Sequence, residues 1–195
     1  MANRSDLGNL IRGLPISDMK KPASPPFSES HKHKDRSGIM LREFSAGALV
    51  LRQMQDRWWV AVIEPGRDGE PEDRKNTIAL PKGNIDSGEK APEAAAREVN
   101  EETGLQARLI TKLSDIKYVY SRTWSDNAKI FKVVSFFLMK YHSGQIGNIR
   151  DDMKHEVRRA WWMPLDEAAT KLSYSGEKQM ARKALAYLKE HGDLA

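Results

Sequence analysis

From about Phe44 onward, short apolar runs alternate with polar breaks. Runs at 45–52 and 58–64, joined by the polar Gln53-Met54-Gln55-Asp56 segment, read as paired strands. Pro65, Gly66, Gly69 and Pro71 then punctuate a surface loop. A short apolar run at 77–81 leads into Lys82-Gly83. Segments 107–120 and 130–141 read as two long strands. In the second, Val133, Val134, Phe136, Phe137 and Leu138 are too continuously apolar for an exposed edge. A last strand is expected over 157–163, followed by helices over 166–172 and 177–190. In the longer helix Ala181, Ala184, Leu185 and Leu188 follow i, i+3, i+4, i+7 spacing, with Ser175 as its expected cap. Trp58-Trp59 and Trp161-Trp162 each straddle a strand, so one of each pair is expected to face inward.

The first 40 residues lack such a pattern. They hold four of the nine prolines and six serines, a composition that cannot offset its ordering entropy by burial. Residues 1–40 are therefore read as a flexible arm and 41–195 as the folded domain. Seven basic against four acidic residues in the arm account for +3 of the chain's +5. A plain solvated extension is the favoured reading of that charge, ahead of a nucleic-acid or partner contact.

The whole chain has 195 residues and no cysteine. Disulfides, thiolate metal sites and a cysteine nucleophile are excluded, and a cytoplasmic location is the expectation. No apolar run approaches the ~20 residues that span a bilayer, so a membrane-embedded protein is not expected. Any metal must sit on oxygen or imidazole.

One further helix is expected over 92–103. Pro92 suits a first turn, Glu93 lies at the positive dipole end, and Gly104 is placed for the left-handed residue past the C-terminus. At ~100° per residue, Glu101, Glu98 and Glu102 lie about 40°, 100° and 140° from Arg97. Ala95, Val99, Thr103 and Ala96 form the adjoining stripe for packing on a sheet, and Ala94 falls on the acidic face. Like charges at this spacing repel by a few tenths of a kcal/mol per pair. A solvated acidic face is one reading. A site of hard oxygen ligands for Mg²⁺ or Mn²⁺ is the other, and the glycine-bearing loop feeding into this face supports it.

The spacing G-x5-E-x7-R-E-U-x-E-E-x-G-U, with U an aliphatic residue, resembles the Nudix box at every defined position: Gly83, Glu89, Arg97, Glu98, Val99, Glu101, Glu102, Gly104 and Leu105. Leu80-Pro81-Lys82-Gly83 precedes it as in many Nudix proteins. Glu156, Trp162, Pro164 and Glu167-Ala168 resemble the family's C-terminal pattern, so the resemblance covers about 41–190.

The resemblance implies an α/β fold, an α/β/α sandwich with a mixed sheet. It also implies Mg²⁺- or Mn²⁺-dependent hydrolysis of a nucleoside diphosphate linked to another moiety. Glu98, Glu101 and Glu102, with the backbone carbonyl of Lys82, would be the metal ligands, and Glu89 and Arg97 would orient them. Glu102, Glu98 and, outside the box, Glu156 are candidates for the proton acceptor. Glu156 also reads as a solvated turn residue among Asp151, Asp152 and Lys154. Lys82, Arg52, Tyr118 and Lys132 are the candidate substrate contacts. Arg122 and Lys129 are further cations, and Tyr120, Trp124 and Phe131 further aromatics that either stack on a base or pack in the core. The Leu-Pro-Lys-Gly lead-in resembles that of dinucleoside polyphosphate hydrolases. A (di)nucleoside polyphosphate is thus the expected substrate. Alternatives are a sanitising pyrophosphatase for damaged nucleoside triphosphates, an RNA 5′-pyrophosphohydrolase, or a non-catalytic nucleotide- or RNA-binding module.

Overall fold

A computed structural model describes residues 40–66, 76–122 and 128–194. The arm up to residue 39, most of the loop after Pro65, and Trp124 lie outside the described residues. Strands β1 (Leu41–Met54) and β2 (Arg57–Pro65) form a hairpin whose turn residues, Gln55 and Asp56, both have positive φ (51° and 57°). That conformation matches the twist of paired strands and explains so tight a reversal without glycine. The remaining elements are β3 (Lys82–Asn84), α1 (Ala91–Thr103), β4 (Leu105–Ser121), β5 (Lys129–Gly144), β6 (Val157–Pro164), α2 (Leu165–Lys171) and α3 (Ser175–His191).

The sheet runs β4-β5-β1-β2-β6, with β1 and β5 parallel and the other neighbours antiparallel. It is the expected mixed sheet between helical layers. On one face α2 and α3 cover Leu49, Leu51, Val134, Phe136 and Leu138. On the other, α1 covers Ala46, Ala48, Val50, Phe137 and Met139. This explains the apolar run 136–139 of β5, each residue of which is worth about 1.5–3 kcal/mol when fully buried. Of the first tryptophan pair Trp58 packs against the core, as expected, but the expectation for the second pair is corrected. Both faces are inward here, so Trp161 packs on the α2/α3 side while Trp162 packs on the α1 side.

β1 and β2 pair only at their hairpin end, over Leu51–Met54 and Arg57–Val60. Beyond it they separate, and residues 79–84 fill the gap. Ala79 bridges to Ile63, the Pro81 carbonyl accepts the Ala48 amide at 3.1 Å, and β3 pairs with β1. Gly47 makes the insertion possible, because a Cβ there would lie 2.6 Å from both the Pro81 oxygen and Lys82 Cβ.

The expected Ser175 cap is not made. Tyr174 is the N-cap of α3, and Ser175 is its first helical residue. The nearby hydroxyl that does bond backbone is Ser173 Oγ, which accepts the Ile78 amide at 2.9 Å and ties the helical layer to the inserted segment.

Candidate active site

Helix α1 follows directly from β3 through a short loop, and Gly104 ends it at φ 77°. Its buried residues are Ala94, Ala95, Glu98, Val99, Glu102 and Thr103. The buried stripe is thus rotated toward the acids relative to the one expected from the alanines. Ala94 is fully buried, Ala96 only half-buried, and Glu98 and Glu102 are each 6% exposed. Two of the three carboxylates belong to the packing face itself.

Arg97 organises the site. Its Nε and Nη2 donate to the two oxygens of Glu89, each at 2.9 Å. Nη1 donates to Glu98 at 2.7 Å and Glu101 at 2.9 Å, and Nη2 also reaches the Asn84 carbonyl at 2.9 Å. A planar fork with five N–H groups can serve this many acceptors at once, whereas an ammonium cannot. Hydrogen bonds from Arg97 hold Glu89 below the usual carboxylate range. The structure thus brings Glu89 and Arg97, the expected orienting pair, together with Glu98 and Glu101.

Glu102 points elsewhere. Its Oε2 accepts the Lys82 amide at 2.8 Å, and burial pushes its carboxyl up to about 8, against the pull of Lys82. Glu98 and Glu156 push in the same direction. Burial also raises Glu98, with Arg97 opposing. Glu101 is shared, since its second oxygen accepts from Arg150 at 2.6 Å.

The three glutamates are consequently not drawn into one cage. Among the described residues no group of three acidic or imidazole side chains is arranged as a metal site. Arg97 bonds both Glu98 and Glu101, Arg150 bonds the other oxygen of Glu101, and Glu102 bonds backbone. The donor set nonetheless fits a hard divalent cation. All the donors are oxygens, two of them on buried carboxylates that raise one another's affinity for positive charge. Glycine at 83 provides a cradle, because a Cβ there would sit 2.1–2.3 Å from the carboxylate atoms of Glu98.

Glu156 lies in the loop before β6 and is exposed, with His155 3.4 Å away. Beside β3 opens a cavity of about 700 Å³ on the α3 face of the sheet. Lys82, Tyr118 and Lys132 line it, as do Tyr120, Tyr174 and Glu177. Tyr118 and Tyr120 are 6.1 Å apart, and the Tyr120 hydroxyl donates to Glu43 at 2.9 Å. Lys132 bridges Glu43 and the Asn84 side chain, both at 3.4 Å. Of the four expected substrate contacts, Arg52 is the one not brought here. Its guanidinium lies 4.6 Å over the Tyr141 ring, toward the other end of β1. Arg122 pairs with Glu43 at 3.9 Å. Lys129 is exposed on β5, and Phe131, adjacent in sequence to Lys132, falls on the opposite face of the sheet.

Sequence reasoning missed Glu43, Gly47, Asn84, Arg150 and Glu177. Only Gly47 carried a local signal, an isolated glycine within a strand pattern. The others act through partners far away in the chain.

The NUDIX domain family matches residues 41–184. The chain belongs to the Nudix hydrolase family. The mutator protein candidate MutT4 of Mycobacterium tuberculosis is 32% identical over 170 residues, covering 84% of this chain and 63% of that protein. The 8-oxo-(d)GTP phosphatase of Mycolicibacterium smegmatis is 29% identical over 175 residues, covering 87% and 48%. The Nudix chain thus spans between about half and two thirds of these relatives' length. Among solved structures, the Ap4A hydrolase of C. elegans aligns with TM-score 0.56 and 21% identity, over 76% of this chain and 98% of that one. The E. coli dihydroneopterin triphosphate pyrophosphohydrolase aligns with TM-score 0.56 and 20% identity, over 77% and 99%. These two likenesses concern the fold alone. Among the described residues no helix is long and apolar enough to cross a membrane.

Proposed function

We propose that this Nudix domain hydrolyses a phosphoanhydride bond in a nucleoside polyphosphate. The observation that carries the reading is that Lys82 and Gly83, which line a cavity presenting tyrosines and lysines together, are the residues against which Glu102 and Glu98 pack. The ring faces of Tyr118, Tyr120 and Tyr174 suit a base, and the ammonium groups of Lys82 and Lys132 suit phosphates. The cavity also has the volume of a small-molecule site.

Glu98, Glu101, Glu102 and the Lys82 carbonyl would hold Mg²⁺ or Mn²⁺, which when bound neutralises phosphate oxygens and polarises the bond to be cut. Arg97 keeps the carboxylates oriented, and Glu89 fixes Arg97 in turn. The attacking water needs a carboxylate to take its proton. We assign this to Glu156, because among the candidates its carboxylate is the exposed one, whereas Glu98 and Glu102 are buried and hydrogen-bonded.

The name of the 8-oxo-(d)GTP phosphatase favours a nucleoside triphosphate, including an oxidised one, and the Leu80-Pro81-Lys82-Gly83 lead-in keeps dinucleoside polyphosphates in the set. A panel of dGTP, 8-oxo-dGTP, diadenosine tetraphosphate and 5′-triphosphorylated RNA, run with Mg²⁺ in ¹⁸O-water, tests the proposal. Cleavage of at least one compound with label in a phosphate product supports it, and inertness toward all four contradicts it.

A further inference from the structure

The segment leading into the Nudix box is held from both helical layers. The Lys82 amide bonds Glu102 on the α1 side, and the Leu80 amide bonds Glu177 Oε2 at 2.9 Å on the α3 side. Glu177 is 3% exposed, in the first turn of α3, and at the wall of the nucleotide cavity. Its second oxygen accepts no hydrogen bond among the described residues, and it faces Lys82 Nζ at 4.0 Å.

A neutral side chain would satisfy the Leu80 amide equally well. A buried carboxylate costs far more than a neutral acceptor unless another charge accompanies it. Lys82 is the cation in reach, and its side chain is 28% exposed on the same wall. A lysine head on a flexible four-carbon stem has no fixed position of its own, so a partner must supply one.

We infer that Glu177 is a positioning residue acting through Lys82, holding its ammonium at the end of the cavity beside Gly83, where a phosphate chain would pass. The inference rests on the reading of this cavity as a nucleotide site. It predicts a sign opposite to simple electrostatics. Removing a negative charge beside an anion site should tighten anion binding, whereas releasing Lys82 should weaken it.

The test is a double-mutant cycle in the full-length chain with Glu177→Gln, Lys82→Met and the pair together. Two quantities are read: hydrolysis of dGTP, and calorimetric binding of the magnesium complex of a dGTP analogue with a methylene bridge between the α and β phosphorus atoms. Glu177→Gln is expected to weaken binding and raise KM about tenfold while kcat changes less than about threefold. In the Lys82→Met background the same substitution should have no further effect. Unchanged or tighter binding in Glu177→Gln, or losses that multiply in the double variant, overturn the inference. If Glu177→Gln does not fold, Glu177→Asp, which withdraws the charge from Lys82 on a shorter stem, replaces it with the same outcomes. A wild type that binds the analogue but cleaves no dGTP contradicts dGTP as the substrate and leaves the binding cycle decisive. One that does not bind overturns the inference outright.

Discussion

The carboxylate of Glu98 occupies the space that a side chain on Gly83 would need, with all three of its terminal atoms within 2.3 Å of the ideal Cβ position. The glycine opening the Nudix box is therefore a matter of space, and its backbone carries no positive-φ requirement. Gly83→Ala is expected to displace Glu98 rather than unfold the domain, since the atoms in conflict are the free end of a side chain. Turnover should fall by about 10²-fold or more with the melting temperature little changed. A large thermal destabilisation with proportionate loss of activity would contradict this explanation.

Arg97 serves Glu89, Glu98, Glu101 and the Asn84 carbonyl through one guanidinium. Arg97→Lys keeps the charge and loses the fork, so the carboxylates should lose orientation despite the retained cation. The expected outcome is a fall in kcat of about tenfold or more, together with weaker Mg²⁺ dependence in a metal titration. Wild-type kcat in Arg97→Lys would show that charge alone suffices.

Much of this site was legible because it is local. Glycine, arginine and glutamates at fixed spacing on one loop and helix define their relative positions before any tertiary contact is known. The rotation of the buried stripe was not legible. Alanines marked one edge as the packing face, yet Ala94 is buried and Glu98 and Glu102 lie within that face, because the inserted segment 79–84 gives the acids backbone and space to pack against. Arg52 failed as a site cation for a reason of geometry. Strand β1 advances about 3.3 Å per residue, so Arg52 lies ~23 Å beyond Ser45, which lines the cavity. Glu177 was invisible because its partner amide is 97 residues away in the chain.

Gly47 is where the inserted segment crosses β1. The obstacles to a Cβ there include the Pro81 backbone oxygen at 2.6 Å, which no side-chain rotation relieves. Gly47→Ala should cost about 1–3 kcal/mol of stability, read as a lowered urea midpoint with an unchanged m-value. An unchanged midpoint would mean that the segment shifts freely on the strand.

Glu156 has an exposed carboxylate whose charge acts on the buried Glu98 and Glu102. Glu156→Gln is expected to lower kcat by about 10²–10⁴-fold, with the affinity for Mg²⁺ and the melting temperature retained. A full rate in this variant transfers the proton-acceptor role to Glu98 or Glu102.

Metal-dependent hydrolysis of a phosphoanhydride bond by the box carboxylates stands or falls on Glu102. Its most direct measurement is Mg²⁺-dependent turnover of the best substrate by wild type and Glu102→Gln, with folding of both checked by thermal melting. Glu102→Gln replaces a buried carboxylate by a neutral isostere that can still accept the Lys82 amide, so the melting temperature should hold or rise. Turnover should fall by about 10³-fold or more. A folded Glu102→Gln that turns over at the wild-type rate would contradict the account.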